Sequence, residues 1–378
     1  MGTLVRATTT PLASIFGSGF LVIVPILAMA VGSYAVFAMA AVCALAYAVG
    51  GVIRYNIRYA EPLIEDSKAS HHTTLFERVS DVALVAAYAI SVCLYLKIMA
   101  SFLLGGLDKI WPGIDSSLTE HLVTIAVIVT IGLIGYFKGL QLLQKLEGIA
   151  LWITMLIILA LFAGFALYGI SAIEGVGIQW PDRSTLDWWQ IITMVAGTLI
   201  VVQGFETSRY LAQEFDTDTR VRSCRLSQVI STIVYIVFLA LATPLMHFLS
   251  GQTEANSLIL LAGKASVLLP LPLVLAAVLS QFSAAVADTI GGGGNMVEVT
   301  KQHVTSKCAY ILICGAAAVL AFVPTFTILA LASRAFAFYY MMQCLVAITI
   351  MKPGPRRTAT GFLAAILAFI TVFAVPAG

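Results

Sequence analysis

Four ionisable side chains lie inside apolar runs of this chain: Glu206, Asp288, Lys97 and Arg334. A charge at that depth is costly, so each must face a partner or a polar cavity. Glu206 sits past the middle of its run, in Gln203-Gly204-Phe205-Glu206-Thr207-Ser208. A carboxylate beside a glycine there suits three tasks: anchoring an amine, carrying a proton, or holding an interrupted helix. The competing reading is a structural ion pair with Arg209 or Lys97. Asp288 is followed by Thr289 and then by Gly291-Gly292-Gly293-Gly294. Carboxylate and hydroxyl oxygens suit a hard cation such as sodium. The competing reading is a cap on a flexible glycine exit from the span.

An earlier segment carries no charge but breaks the same rule of regularity. Ser14-Ile15-Phe16-Gly17-Ser18-Gly19-Phe20 places two glycines in the middle of an apolar run. Glycine leaves a helix at little steric cost and lets a ligand approach the backbone. A broken helix offers N–H groups to an anion at one end and carbonyls to a cation at the other. A small-residue packing face would explain the glycines without a break. Lys97 is too deep to reach the membrane surface easily. It either pairs with a carboxylate or stands in for a bound cation. Arg334 either snorkels or meets a substrate carboxylate. Phe336, Phe338, Tyr339 and Tyr340 form either a gate or a packing or lipid-facing surface.

The elements that must carry these residues follow from composition. The 378 residues are 60% hydrophobic and only 11% charged, against about 25% charged in a soluble protein. The chain is therefore an integral membrane protein. Apolar runs of about 20 residues recur along its length, which predicts helices and excludes a barrel. Eleven spans are expected near 11–32, 34–54, 80–106, 120–137, 147–170, 188–212, 226–249, 267–291, 308–323, 326–350 and 359–376. Breakers such as Trp111-Pro112-Gly113, Trp180-Pro181-Asp182, Ser250-Gly251 and Lys352-Pro353-Gly354-Pro355 mark the connections. Arg6 is the only charge before the first span, and that span is too long for a cleavable signal.

Charge sets the expected orientation. With the N-terminus inside, only Lys109, Arg183 and Lys264 of the 21 Lys and Arg fall outside. Lys97, Arg209 and Arg334 fall within or at the edge of spans, and the others are cytoplasmic. The chain reads as N-in and C-out. Its segments are a short cytoplasmic N-terminus (1–10), five helices (11–170), an outer connector (171–187), five more helices (188–350), and an eleventh helix with the C-terminus (351–378). Five helices per half is odd, so the second half is inverted relative to the first. The interrupted spans are then the first of each half, which points to a transporter's binding site.

Two motifs carry a resemblance. Gln203-Gly204-Phe205-Glu206-Thr207-Ser208 and Gly17-Ser18-Gly19-Phe20 resemble helices 6 and 1 of the amino acid–polyamine–organocation (APC) superfamily. That implies a LeuT-like fold of two inverted five-helix repeats, here with one added C-terminal helix. It also implies a small amino acid or amine bound around Gly17, Ser18, Gly19, Gln203, Gly204, Phe205 and Glu206. Ser283 to Gly294, containing Asp288-Thr289, is similar to helix 8 of neurotransmitter sodium symporters. By that similarity Asp288 and Thr289, with carbonyls of Ala13 and Phe16, would hold a sodium ion.

The expected function is cation-coupled secondary transport, sodium favoured over proton, in a bacterial inner membrane. The partners are a small-molecule substrate and the lipid bilayer. A proton-coupled transporter or exchanger using Glu206 is the first alternative. A solute sensor is the second, although the chain as read ends at Gly378 outside the membrane, with no signalling domain. No Walker, HExxH or GxSxG pattern occurs, so neither enzyme activity nor an organic cofactor is expected. The expected coupling ion is the only metal, since His71-His72 reads as a solvated loop. Nucleic-acid binding has no footprint. The six cysteines form no CxxC pair and read as buried hydrophobes.

Overall fold

The computed structural model describes all residues except Met1, Ser18, Lys109, Val176, Asp182, Arg183, Gln213, 250–253 and 376–378, with only the backbone considered for 141–147. Every regular element among the described residues is helical. In chain order they are α1 (Thr3–Gly17), α2 (Ile23–Val31), α3 (Ala35–Tyr55), α4 (Glu61–Glu65), α5 (His71–Leu107), α6 (Ser117–Phe137), α7 (Gln141–Glu174), α8 (Trp188–Ala196), α9 (Thr217–Ala242), α10 (Leu258–Ala265), α11 (Pro270–Val299), α12 (Ser306–Leu320), α13 (Thr325–Ile350) and α14 (Pro355–Phe373). Two 3₁₀ segments, Leu199–Val202 and Phe205–Leu211, follow α8. A π-helical stretch, Asn56–Ala60, joins α3 to α4.

Eight helical runs among the described residues are long and apolar enough to cross a membrane. They make this an integral membrane protein. One of them, Ile23–Glu65, contains α2, α3 and α4. It bends at Gly32, whose φ of 55° is open to glycine at little cost. α12 is a shorter apolar helix.

Several expected boundaries move outward. The third span begins at His71, not near 80, because Ser70 caps it by accepting the Thr73 N–H at 3.2 Å. His71 and His72 are therefore the first turn of a helix and not part of a loop. The glycine run 291–294 is not an exit either: α11 continues through it to Val299. Gly292 lies under Tyr88 and Ile313, and Gly293 under Tyr310, where a β-carbon would intrude. The glycines serve close approach of α11 to α5 and α12. The Trp180-Pro181-Asp182 and Ser250-Gly251 connections, and the outer charges Lys109 and Arg183, involve residues outside the described set.

The core runs along α5 and α11. α5 buries Tyr88, Ser91, Tyr95, Lys97 and Phe102, and α11 buries Gln281, Ala284, Ala285, Asp288 and Thr289. α1 contains Pro11, which has no N–H to donate to the Ala7 carbonyl. Ser223 of α9 donates to that carbonyl at 2.7 Å, so the proline leaves no buried acceptor unmet.

Candidate functional site

Both interrupted spans are broken. α1 ends at Gly17, Gly19 has φ of 122°, and α2 begins at Ile23. α8 ends at Ala196; after the short 3₁₀ turn the backbone is extended at Gln203, and Gly204 has φ of 121°. The breaks touch. A β-carbon on Gly204 would stand 2.6 Å from the Ile15 nitrogen and 2.8 Å from the Ser14 hydroxyl. Positive φ and lack of space both require glycine here. Gly17 packs equally closely on α11, where a β-carbon would collide with the Ala284 methyl and come within 3.2 Å of the Ser280 carbonyl.

Broken ends leave backbone groups without helical partners, and buried side chains supply several. The Ser333 hydroxyl donates to Gly197 O at 2.6 Å and accepts from Ile200 N at 3.0 Å. The Tyr235 hydroxyl lies 2.6 Å from Val201 O and 3.2 Å from Ile15 O, so one group on α9 reaches both breaks. Thr207 donates to Gly204 O at 2.7 Å.

Glu206 is fully buried. Its Oε2 accepts from the Gly204 N–H and from the Tyr340 hydroxyl, each at 2.8 Å. Its Oε1 has no hydrogen-bond partner among the described residues. The expected ion-pair alternatives do not form. Arg209 instead bonds Glu61 at 3.1 Å and contacts Glu77, and Arg220 bonds Glu61 at 2.8 Å. Gln343 and Asn56 extend this cluster: the Gln343 amide donates to Glu77 at 3.2 Å and Ser80 at 2.8 Å, and Asn56 donates to Gln343 at 2.8 Å. Lys97 pairs with Glu120 at 3.3 Å and donates to Ala321 O at 3.1 Å. Glu206 thus binds backbone and tyrosine while both candidate cations are engaged elsewhere.

These observations are joined by two comparisons. A family model described as "APC superfamily transporter" matches residues 2–376. The chain belongs to the APC superfamily of transporters. A relative from Aquifex aeolicus (strain VF5), described as an uncharacterized protein, is 37% identical over 345 residues, covering 89% of this chain and 82% of the relative.

Within this APC transporter, the expected site residues fall into two groups. Gly17, Gly19, Gly204, Gln203, Phe205 and Glu206 gather at the paired breaks. Gln203 donates to the Tyr95 hydroxyl at 2.6 Å, and Phe205 stacks on Tyr340 with ring centroids 5.4 Å apart. Ser18 lies outside the described residues. Ala13 and Phe16 are buried in the last turns of α1, Phe16 against Phe20 and Tyr235. Asp288 turns toward α5, where Ser91 donates to it, and Thr289 donates to Ala285 O of its own helix at 2.7 Å.

Lys97 and Arg334 lie elsewhere. Lys97 joins α5, the start of α6 and the end of α12. Arg334 donates to Ala374 O at 2.7 Å, capping the end of α14. Of the α13 aromatics, Phe336, Tyr339 and Tyr340 are internal, while Phe338 lines an outer groove. Tyr340 enters the sequence reading only within its aromatic cluster, and Tyr95, Tyr235 and Ser333 are not in it as site residues. Their only sequence signal is a hydroxyl in an apolar span, which many packing residues share.

Proposed function

We propose that this transporter is a cation-coupled symporter of a small amino acid or amine, with eleven spans in a LeuT-like arrangement of two inverted five-helix repeats and an added C-terminal helix. The N-terminus is cytoplasmic and the membrane is the bacterial inner membrane. The reading is carried by the contact between the two breaks, Gly204 against Ser14 and Ile15. Two unwound segments meeting in the interior form one site able to bind both a substrate and an ion. Spans 1 and 6 are α1 with α2, and α8 with the following 3₁₀ segments. Rocking of one helix group against another then alternates access.

Asp288 and Thr289, with carbonyl oxygens of Ala13 and Phe16, are the hard oxygen donors that would hold sodium. The close seat of Gly17 on Ser280 and Ala284 supports this, since it brings the last turn of α1 within about one helical turn of Asp288 along α11. Coupling requires that the ion favour one conformation over another. The charged cluster of Arg209, Glu61, Glu77 and Arg220 joins α4, α5, the end of span 6 and α9. On this reading it is the cytoplasmic closure that must part for release.

Uptake into proteoliposomes across an amino acid and amine panel, with and without a sodium gradient, tests the reading. Sodium-driven uptake that Asp288→Asn abolishes is expected. Absence of gradient-driven uptake across the whole panel overturns it. The unpartnered Oε1 of Glu206 favours one second reading, coupling through a proton on that carboxyl. In that case Glu206→Gln abolishes pH-driven uptake and spares exchange. Equal loss of both assigns Glu206 to substrate binding.

A further inference from the structure

The strongest unmet polar demand in the interior is Gln281. It is fully buried, and neither its Nε2 nor its Oε1 has a partner among the described residues. A side-chain amide brings two donors and an acceptor with two lone pairs, and burying such groups unmet is expensive. Isolated in a packed apolar wall, this residue has no reason to be polar.

Its position gives the reason. Gln281 precedes Asp288 by seven residues, just under two helical turns, so the two side chains leave α11 in nearly the same direction about 10 Å apart. Asp288 meets Ser91 on α5. The neighbour of Gln281, Ser280, presents its carbonyl to the end of α1 at Gly17. Gln281 therefore stands level with the first break, on the face of α11 between α1 and α5. One turn to either side are Ala277, Ala284 and Ala285, all buried and without polar side-chain atoms. A second fully buried atom, the Ser14 hydroxyl in the last turns of α1 beside Gly204, lacks a partner among the described residues.

Charge narrows the ligand group. Lys97 and Arg209 are committed to Glu120, Glu61 and Glu77, so neither is free to receive an anion here. A carboxylate could accept from the Gln281 amide but would face Oε1 with like polarity and no counter-charge. A hydrocarbon would leave both amide atoms unmet. A planar carboxamide satisfies both, donating to Oε1 and accepting from Nε2.

Resting on the transport reading above, we infer that Gln281 is a specificity-determining residue that receives a neutral donor–acceptor group of the substrate, a carboxamide, beside the helix 1 break. The test is uptake of labelled L-glutamine, L-asparagine, L-glutamate and L-alanine by the full chain in proteoliposomes under sodium and proton gradients. Thermal unfolding of the ligand-free protein is measured in parallel. The wild type is expected to prefer each carboxamide over L-glutamate by tenfold or more. Gln281→Leu is expected to erase that preference while the ligand-free unfolding midpoint stays level or rises. Should that variant fail to fold, Gln281→Met, unbranched and of similar length, carries the same reading.

An unchanged preference in a folded variant overturns the inference and leaves the amide ordering internal water. Uptake of L-alanine without either carboxamide overturns it while the transport reading stands. Uptake of none of the four, when other members of the wider panel are taken up, also removes only this inference. No uptake anywhere on the panel removes both.

Discussion

The two breaks sit against each other but are held by different forces. The first is cut by small residues and held mainly by packing, with one hydroxyl, that of Tyr235, at Ile15 O. Gly17 seats on Ala284, while Phe16 and Phe20 enter an aromatic group with Tyr235 and Phe238, Phe20 stacking on Phe238 at 4.3 Å. The second is held by directed hydrogen bonds: Ser333 and Thr207 donate to its carbonyls, Glu206 accepts from the Gly204 N–H, and Tyr340 fixes the carboxylate. Packing tolerates sliding along a surface, whereas a carboxylate on one N–H defines one geometry. The second break is thus the one with the more sharply defined geometry.

The contact itself offers the largest break in this comparison. Gly204→Val combines a disfavoured φ with overlap on the α1 backbone, costing about 3 kcal/mol or more. A sharply lowered unfolding midpoint in detergent and no uptake are expected. A variant as stable as wild type would mean the breaks are not in contact.

The packing side is sharpened by a pair of changes. Gly17→Ala places a methyl on that of Ala284 and should cost about 1–3 kcal/mol. Adding Ala284→Gly should recover most of that loss. A purely additive double variant would show that the two do not meet.

On the hydrogen-bonded side, Glu206→Leu leaves the Gly204 N–H buried and unmet, at about 1–3 kcal/mol. Glu206→Gln retains an oxygen acceptor and should keep most of the stability. Equal unfolding midpoints for the two would remove the carboxylate from its place at the break.

Ser333→Ala should cost about 1–3 kcal/mol, because it leaves the buried Ile200 N–H as well as Gly197 O unmet. The smallest effect expected is from Tyr235→Phe, about 1 kcal/mol, because one hydroxyl proton is shared between carbonyls of the two breaks. Unfolding midpoints of both variants check the order.

The sequence by itself determined the membrane class, the helical content and the two interruptions. Hydropathy and glycine act over a single span, so they are legible locally. The depth of Glu206 and Asp288 was equally plain, since a charge in an apolar run is visible without neighbours. The sequence also showed that Lys97 needed a partner, but not that Glu120 was the one.

Partners were decided only by tertiary structure. Arg209 lies three residues from Glu206 yet pairs with Glu61 and Glu77, which come from distant segments. The glycines of α11 read as an exit because glycine signals both flexibility and close approach. Only the rings of Tyr88 and Tyr310 against them distinguish the two. Tyr235 and Ser333 became site residues for the same reason. A hydroxyl's role is set by which carbonyl the fold brings within reach, and that contact spans the whole chain.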